Sequence, residues 1–387
     1  MTAPDPQNIA IYIHWPFCTR ICPYCDFNVY KTRNQPNLFA AILKDLQRWR
    51  DWSGPRQISS IHFGGGTPSL MSPENIHTLL SHVKKLWPAQ PSGPENAIEI
   101  ALEANPSDYD EPKWQAYNQA GINRLSLGVQ SFDDDILKRL GRNHDANMAN
   151  AALQGARDIF GSLSLDLIFG VSNQSLSILS HDLDTALSYA LDHISTYQLT
   201  IEDGTAFDKA LKRGENQAVS PETSAAYFEY ITQRLTKQGF EHYEVSNFAK
   251  PAHRARHNLN YWQGGDYVGV GPGAHGRLTL KTKRFATIAP MTPDNYINAH
   301  RSGSPDIQNT TELSPLEWAE EYLLMGLRIN EGISLSRYAA LSGHDLPENI
   351  LQDFINQGML AIKEGRLSAT QSGRLVLDYL TQKLLGA

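Results

Sequence analysis

The sequence predicts an α/β protein: a partial (β/α)6 TIM-like barrel followed by a C-terminal, mostly helical, winged-helix-like domain. Three observations carry this. The first 200 residues alternate short apolar strands of period 2 with longer stretches of period near 3.6. Each strand sets apolar residues on one face against polar residues on the other. From residue 314 the pattern turns helical. A length of 387 residues allows two or three domains. We divide the chain into a barrel core over 1–240, a Gly-, His- and aromatic-rich segment with a linker over 241–312, and a terminal domain over 313–387.

The expected strands are 9–14, 58–63, 97–103, 123–129, 162–169 and 194–200. Between them, Leu38, Ile42, Leu46 and Trp49 share one helix face, as do Leu176, Leu179, Leu183, Leu187 and Leu191. Ser72-Pro73 and Ser220-Pro221 read as helix starts, serine at the N-cap and proline in the first turn. Six such units imply parallel strands joined by right-handed crossovers. Six rather than eight implies an open or partial barrel. Tyr12 and His14, His62, Glu99 and Glu103, Arg124, Ser126 and Gln130, Asp166, Gln198 and Thr200 fall on the polar face. A packed barrel interior prefers branched aliphatics, so a polar interior implies a wet cavity holding a ligand at the carboxyl ends of the strands. Segment 203–218 reads as a surface connection and 289–312 as a linker. Ser314 with Glu317 makes a capping box. Helices near 315–329, 334–342 and 347–357, a hairpin around Gly365 and a last helix at 371–385 complete the chain.

Composition excludes several classes. Hydrophobic residues make up 41% and charged residues 19%, which suits a buried core rather than disorder. Lys plus Arg is 34 against 41 Asp plus Glu, net −7, which opposes nucleic-acid binding. The winged-helix-like part carries 6 Lys/Arg and 9 Asp/Glu over 313–387, net −3, so a structural cap is expected there. No apolar run approaches the length of a membrane span. The N-terminus MTAPDPQNIA has neither a basic nor an apolar stretch, so no signal peptide is expected and the cytoplasm is the expected compartment.

The three cysteines form Cys18-x3-Cys22-x2-Cys25 directly after the first strand. An odd, clustered set is not a disulfide framework. Pro16 and Pro23 keep the stretch from forming a regular helix, and a loop can turn three thiolates onto one inorganic core. A [4Fe–4S] cluster normally takes four cysteines. Three leave one iron open, able to chelate the amino and carboxylate groups of S-adenosylmethionine, whose sulfonium an electron from the cluster can cleave. The alternatives are a zinc site with His14 as fourth ligand and reduced structural thiols.

The motif Tyr12-Ile13-His14-Trp15-Pro16-Phe17-Cys18 resembles the radical S-adenosylmethionine superfamily, in the branch of oxygen-independent coproporphyrinogen III dehydrogenase (HemN) and the heme chaperones (HemW). Similar blocks are Gly64-Gly65-Gly66-Thr67-Pro68, Glu103-Ala104-Asn105-Pro106, Gly128-Val129-Gln130-Ser131-Phe132 and Asp166-Leu167-Ile168-Phe169-Gly170. The resemblance implies a radical S-adenosylmethionine barrel over 1–240 and a HemN-like domain over 313–387. It implies the cluster on Cys18, Cys22 and Cys25. It implies S-adenosylmethionine contacts by Tyr12, Tyr24, Gly65, Gly66, Thr67, Glu103, Gln130, Arg142, Asp166 and Thr200. Carboxylates of Glu103 or Asp166 can accept from ribose hydroxyls or the ammonium, and Arg142 can fork onto a carboxylate.

Two departures separate the chain from the dehydrogenases. Their pattern resembles Cys-x3-Cys-x2-Cys-x-Cys, and Phe27 stands at the fourth position here. With the first cysteine at 18, no N-terminal extension that encloses a substrate is expected. Residues 256–262 contain His257-Asn258-x2-Tyr261-Trp262, which resembles a motif associated with heme binding in the chaperones. His257 can supply an axial nitrogen, Tyr261 and Trp262 a flat contact, and Arg254 or Arg256 a propionate partner. The residue types alone favour a hydrogen-bonded histidine beside core aromatics. The resemblance thus implies a heme chaperone that passes heme to acceptor proteins, with no catalytic residue assigned and no coproporphyrinogen oxidase activity. The alternatives are a coproporphyrinogen III dehydrogenase and a radical enzyme of another substrate.

Overall fold

The computed structural model describes residues 8–31, 35–88, 98–302 and 309–386. The first residue of the strand expected at 97–103 and residues 303–308 of the expected linker lie outside them. Six strands follow the expected barrel pattern: β1 Asn8–Trp15, β2 Gln57–Gly65, β3 Glu99–Ala104, β4 Arg124–Gln130, β5 Ser162–Phe169 and β6 His193–Gln198. Each pairs parallel with the next. The sixth ends at Gln198, so Thr200 lies in the loop beyond it rather than within it.

Segment 241–312 does more than connect. It contributes β7 Glu241–His242, β8 Asn247–Ala249, β9 Tyr267–Val270, β10 His275–Leu280, β11 Lys283–Ile288 and β12 Asn309–Leu313. These extend both edges of one open sheet, in the order β12-β11-β10-β9-β1-β2-β3-β4-β5-β6-β8-β7. β9 runs parallel to β1, and β8 runs antiparallel to β6. A helix, Pro293–Ser302, occupies part of the expected linker, and another, Ala206–Leu211, part of the expected surface connection. The strands here are short and mixed in composition, so periodicity does not reveal them. Buried ionic contacts help hold the β9–β11 region. Asp266 accepts from Arg56 and Arg284 at 3.1 Å each and from the Thr279 backbone and hydroxyl at 2.8 Å.

The apolar faces behave as the alternation requires. Ile11, Ile13, Ile61, Phe63, Leu102, Leu125, Leu127 and Leu165 are buried in one cluster with Leu38, Ile42, Leu46 and Trp49 of the helix Gln35–Ser53. Ser72, Ser220 and Ser175 cap their helices by accepting from Asn75, Thr223 and Ile178 backbone N–H groups. The helix after Ser175 spans only Leu176–Ser188. Leu176, in its first turn, is exposed and Leu191 lies beyond its end, so the apolar stripe is shorter than the five leucines suggest.

The C-terminal part has its own core around Leu323, Leu327, Ile333, Leu367 and Leu380. Ser314 and Glu317 form the capping box. Helices Pro315–Gly326, Leu335–Ser342 and Glu348–Asn356 precede the hairpin Leu360–Lys363 and Arg366–Ala369, which pairs with Ile333–Ser334. The expected last helix divides into Gln371–Arg374 and Leu377–Leu384. Gly373 sits so close to the Met359 carbonyl that a Cβ there would lie 2.0 Å from it, and Val376 leaves the helical conformation.

Two buried histidines donate to backbone carbonyls, His144 to Val129 at 2.9 Å and His242 to Val245 at 3.1 Å. Burial, with Arg142 or Arg374 nearby, pushes each down to about 4. Unfolded, each titrates near its ordinary value, about 6.5. The unfolded chain therefore binds more protons between pH 6.5 and 4, and this stability, present above 6.5, is lost as pH falls. Urea midpoints are expected to drop from pH 7 to pH 5, and less so in a His144→Asn/His242→Asn double variant. An equal drop in both would contradict the assignment.

Candidate functional site

The cysteine loop leaves β1 at Trp15 and is closed by its own backbone. The Tyr30 N–H donates to Pro16 O at 2.7 Å, Phe17–Cys18 pairs parallel with Tyr30–Lys31, and the Cys25 N–H donates to Cys22 O at 3.2 Å. All three thiols are free. Burial raises the Cys18 thiol and pushes Cys25 up to about 11. His14 does not serve as a fourth ligand. Its Nδ1 accepts from the Tyr12 hydroxyl and its Nε2 donates to Asn28 O, both at 2.9 Å, so neither nitrogen is free.

The glycine turn at the end of β2 lies directly against this loop. The N–H groups of Gly66 and Thr67 donate to Trp15 O at 2.7 Å and Phe17 O at 2.9 Å. A Cβ on Gly66 would lie 2.8 Å from Phe17 O, so only glycine permits the approach. Thr67 Oγ1 donates to Cys18 Sγ at 3.5 Å.

Cys18, Cys22, Cys25, Tyr24, Gly65, Gly66, Thr67, Glu103, Gln130, Arg142, Asp166 and Thr200 line one cavity of about 370 Å³. Eleven of these come from separated loops and strand ends, and the parallel order of β1 to β6 brings them together. Arg142 lines the cavity as the sequence expects and is held there by protein groups. Its guanidinium donates to Cys22 Sγ and Tyr24 Oη at 3.4 Å, to Gly128 O at 2.8 Å and to Asn105 Oδ1. Glu103 accepts from His62 Nε2 at 2.9 Å. Asp166 accepts from the Ser126 hydroxyl, and burial pushes its carboxyl up to about 6. Gln130 sits at φ 71°, a strained position for a non-glycine residue, with its Oε1 buried and unpartnered. Arg142 Nε is likewise buried without a partner. Such orphaned polar atoms are what a polar ligand satisfies.

Tyr12 does not line this cavity. It belongs to an adjoining one of about 680 Å³, which shares Gly65, Glu103, Ser126, Asp166 and Tyr197 with the first. His257, Tyr261 and Trp262 line this second cavity. His257 opens the helix Arg256–Trp262, whose N-cap, Ala255, has no capping side chain. Glu99 takes that role from β3, accepting from the backbone N–H groups of Arg256 and His257 at 3.1 Å each. It also accepts from His257 Nδ1 at 2.8 Å. Burial works against its charge, yet His257, Arg124 and these N–H groups hold its carboxyl well below the usual range. Burial, with His62 beside it, pushes His257 down to about 4 despite Glu99. The ring is therefore neutral at pH 7, with its lone pair on Nε2. It stacks on His62 with centroids 4.0 Å apart, and His62 on Tyr12 at 5.8 Å.

Arg254 turns away to Glu241 and Glu331, and Arg256 is exposed, so neither is the cation of this cavity. Arg124 is: it is buried, 3.6 Å from Glu99, with Nη2 unpartnered. Trp262 is covered by the Arg328 guanidinium of the C-terminal part at 4.4 Å. Glu99, His62, Arg124 and Asn105 are the site residues to which sequence reading gave no role. The polar-face alternation already contained the first three. Asn105 stood inside a quoted motif.

Residues 12–186 match the model of the Radical SAM superfamily, and residues 313–376 that of the HemN C-terminal domain. The heme chaperone HemW of Bacillus subtilis is 34% identical, over 97% of this chain and 99% of its own. HemW of Escherichia coli is 34% identical over 97% and 98%. Bovine mitochondrial radical S-adenosyl methionine domain-containing protein 1 is 36% identical over 99% and 88%. The solved structure of Escherichia coli coproporphyrinogen III oxidase HemN aligns with a TM-score of 0.80 at 20% identity, over 98% of this chain and 91% of its own, and shows the same fold.

Replacing Gly66 with Ala is expected to push the turn off the cysteine loop, at a cost of about 1–3 kcal/mol. Urea unfolding measures the loss, and faster modification of Cys18 by a thiol reagent reports the loosened loop. Unchanged stability and thiol reactivity would show that the approach is not tight.

Proposed function

The chain belongs to the HemW family of the Radical SAM superfamily, and from that premise we propose that it is a heme chaperone, binding heme and passing it to acceptor proteins. One observation carries the heme site. His257 lines a cavity of about 680 Å³, and its Nδ1–H donates to Glu99, leaving the Nε2 lone pair for iron. A histidine whose second nitrogen is fixed by a carboxylate is the usual form of a metal-ligating imidazole. Tyr261 and Trp262 offer flat contact, and Arg124 Nη2 a partner for a propionate.

We assign Cys18, Cys22 and Cys25 to a [4Fe–4S] cluster. S-adenosylmethionine takes the rest of the first cavity. The three thiols, the donors around them and the orphaned Gln130 and Arg142 atoms fit these groups. Together they supply one-electron chemistry at the sulfonium. The chain's own part is to hold and orient. Thr67 and Arg142 donate to two of the sulfurs. Glu103 and Asp166, open to both cavities, present acceptors to a cationic ligand. Phe27, where a fourth cysteine stands in the dehydrogenase pattern, is 62% exposed and lines both cavities. This apolar residue favours the chaperone over porphyrinogen oxidation. The loop's reduced thiols suit the cytoplasm.

Anaerobically reconstituted protein should take up about one heme per chain. His257→Ala should weaken binding at least tenfold or shift the Soret band, with the cluster absorbance unchanged. No heme uptake by the wild type would overturn the chaperone reading. Identical binding by His257→Ala would overturn only the ligand. Cys18→Ala, Cys22→Ala and Cys25→Ala should each lose the four-iron complement in iron and sulfide assays. With S-adenosylmethionine and a reductant, coproporphyrinogen III should remain unconverted, and turnover would restore the dehydrogenase reading.

A further inference from the structure

We propose that Asn105 is a positioning residue that links Arg142 to Cys18, and that this chain of donors raises the reduction potential of the cluster. The proposal rests on the cluster assignment above. Arg142 Nη2 donates to Asn105 Oδ1, Asn105 Nδ2 donates to Thr67 Oγ1 at 3.2 Å, and Thr67 Oγ1 donates to Cys18 Sγ at 3.5 Å. Every donor points toward the sulfur. The direction follows from chemistry. Arginine only donates, so the amide oxygen of Asn105 must face it and the amide nitrogen must face Thr67. The single hydroxyl proton of Thr67, accepting from Asn105, is then left for Cys18. Gly128 O fixes the guanidinium at 2.8 Å, and the other end of the fork reaches Cys22 Sγ at 3.4 Å. One arginine thus serves two of the three thiols, one directly and one through two neutral side chains.

Local structure does not account for these side chains. Asn105 and Thr67 each occupy the N-cap position of a 3₁₀ turn, Pro106–Asp108 and Pro68–Leu70, where such residues ordinarily bond the turn's own backbone. Neither caps its turn. Both face inward instead. Hydrogen bonds to a ligating sulfur stabilise the added electron and raise the potential, and linked bonds in a low-dielectric site polarise one another.

The test uses the full chain, reconstituted anaerobically without S-adenosylmethionine, with the midpoint potential read from the EPR signal of the reduced cluster. Thr67→Val, which removes the donor to Cys18, is expected to shift the midpoint negative. Asn105→Leu is expected to shift it in the same direction, and Thr67→Ser to leave it unchanged. The double variant Thr67→Val/Asn105→Leu is expected to shift no further than Thr67→Val, because Asn105 acts through Thr67. Asn105→Ala, neutral and without a donor, replaces Asn105→Leu if that variant fails to assemble a cluster. A wild-type midpoint in the Asn105 variant at full iron content, or additive shifts in the double variant, would overturn the proposal. Absence of a cluster in the wild type would instead overturn the cluster assignment beneath it.

Discussion

Two backbone hydrogen bonds, Gly66 N–H to Trp15 O and Thr67 N–H to Phe17 O, govern the rest of the site. They fix the turn after β2 onto the loop after β1, and with it the distance between the cysteines and everything the other strands carry. Neighbouring parallel strands bring their carboxyl ends together, but they do not by themselves bring two loops into contact. The glycine turn does, because Gly66 has no side chain to hold Phe17 away. Thr67 then reaches Cys18 from the turn, and Arg142 reaches Cys22 from beyond β4.

The polar interior imposes a second constraint. A buried carboxylate without partners is costly, and the carboxylates of this interior are met by the sheet and by the helix Arg256–Trp262. Glu99 bonds a ring and two N–H groups, Glu103 bonds His62, and Asp166 bonds Ser126. Among the buried groups left without a partner, Arg124 Nη2, His62 Nδ1, Gln130 Oε1 and Arg142 Nε belong to residues lining one of the two cavities. Carboxylates with acceptor capacity left over thus stand beside unsatisfied donors and acceptors along both cavities. The three-ring stack Tyr12–His62–His257 packs across the second cavity wall.

The C-terminal part contributes to this wall from outside. Arg328 lies over Trp262, and Glu331 holds Arg254, so both ends of the helix Arg256–Trp262 are flanked by side-chain contacts from one small domain. Arg374 reaches the carbonyl of His242 at 3.1 Å. An acidic domain of winged-helix-like shape, net −3 over 313–387, thereby works as a clamp on the segment that carries His257.

The sequence by itself determined the six parallel strands, the helix caps, the capping box and the cysteine loop. These depend on local rules: a period of 2 or 3.6, a serine before a proline, three thiols in eight residues. It also sorted Glu99, Glu103, Arg124 and Asp166 onto one face, because side chains alternate along a strand whatever surrounds it. Tertiary structure alone decided what those residues meet. Arg142 and Arg254 are chemically suited to a ligand carboxylate; contacts distant in sequence keep Arg142 at the sulfurs lining the first cavity and turn Arg254 to Glu241 and Glu331. The short strands of 241–312 were unreadable because each is specified by its edge of the sheet rather than by its own composition. Asn105 stands in the sequence only as part of the Glu103-Ala104-Asn105-Pro106 block, and its neighbours across the barrel give its side chain its partners.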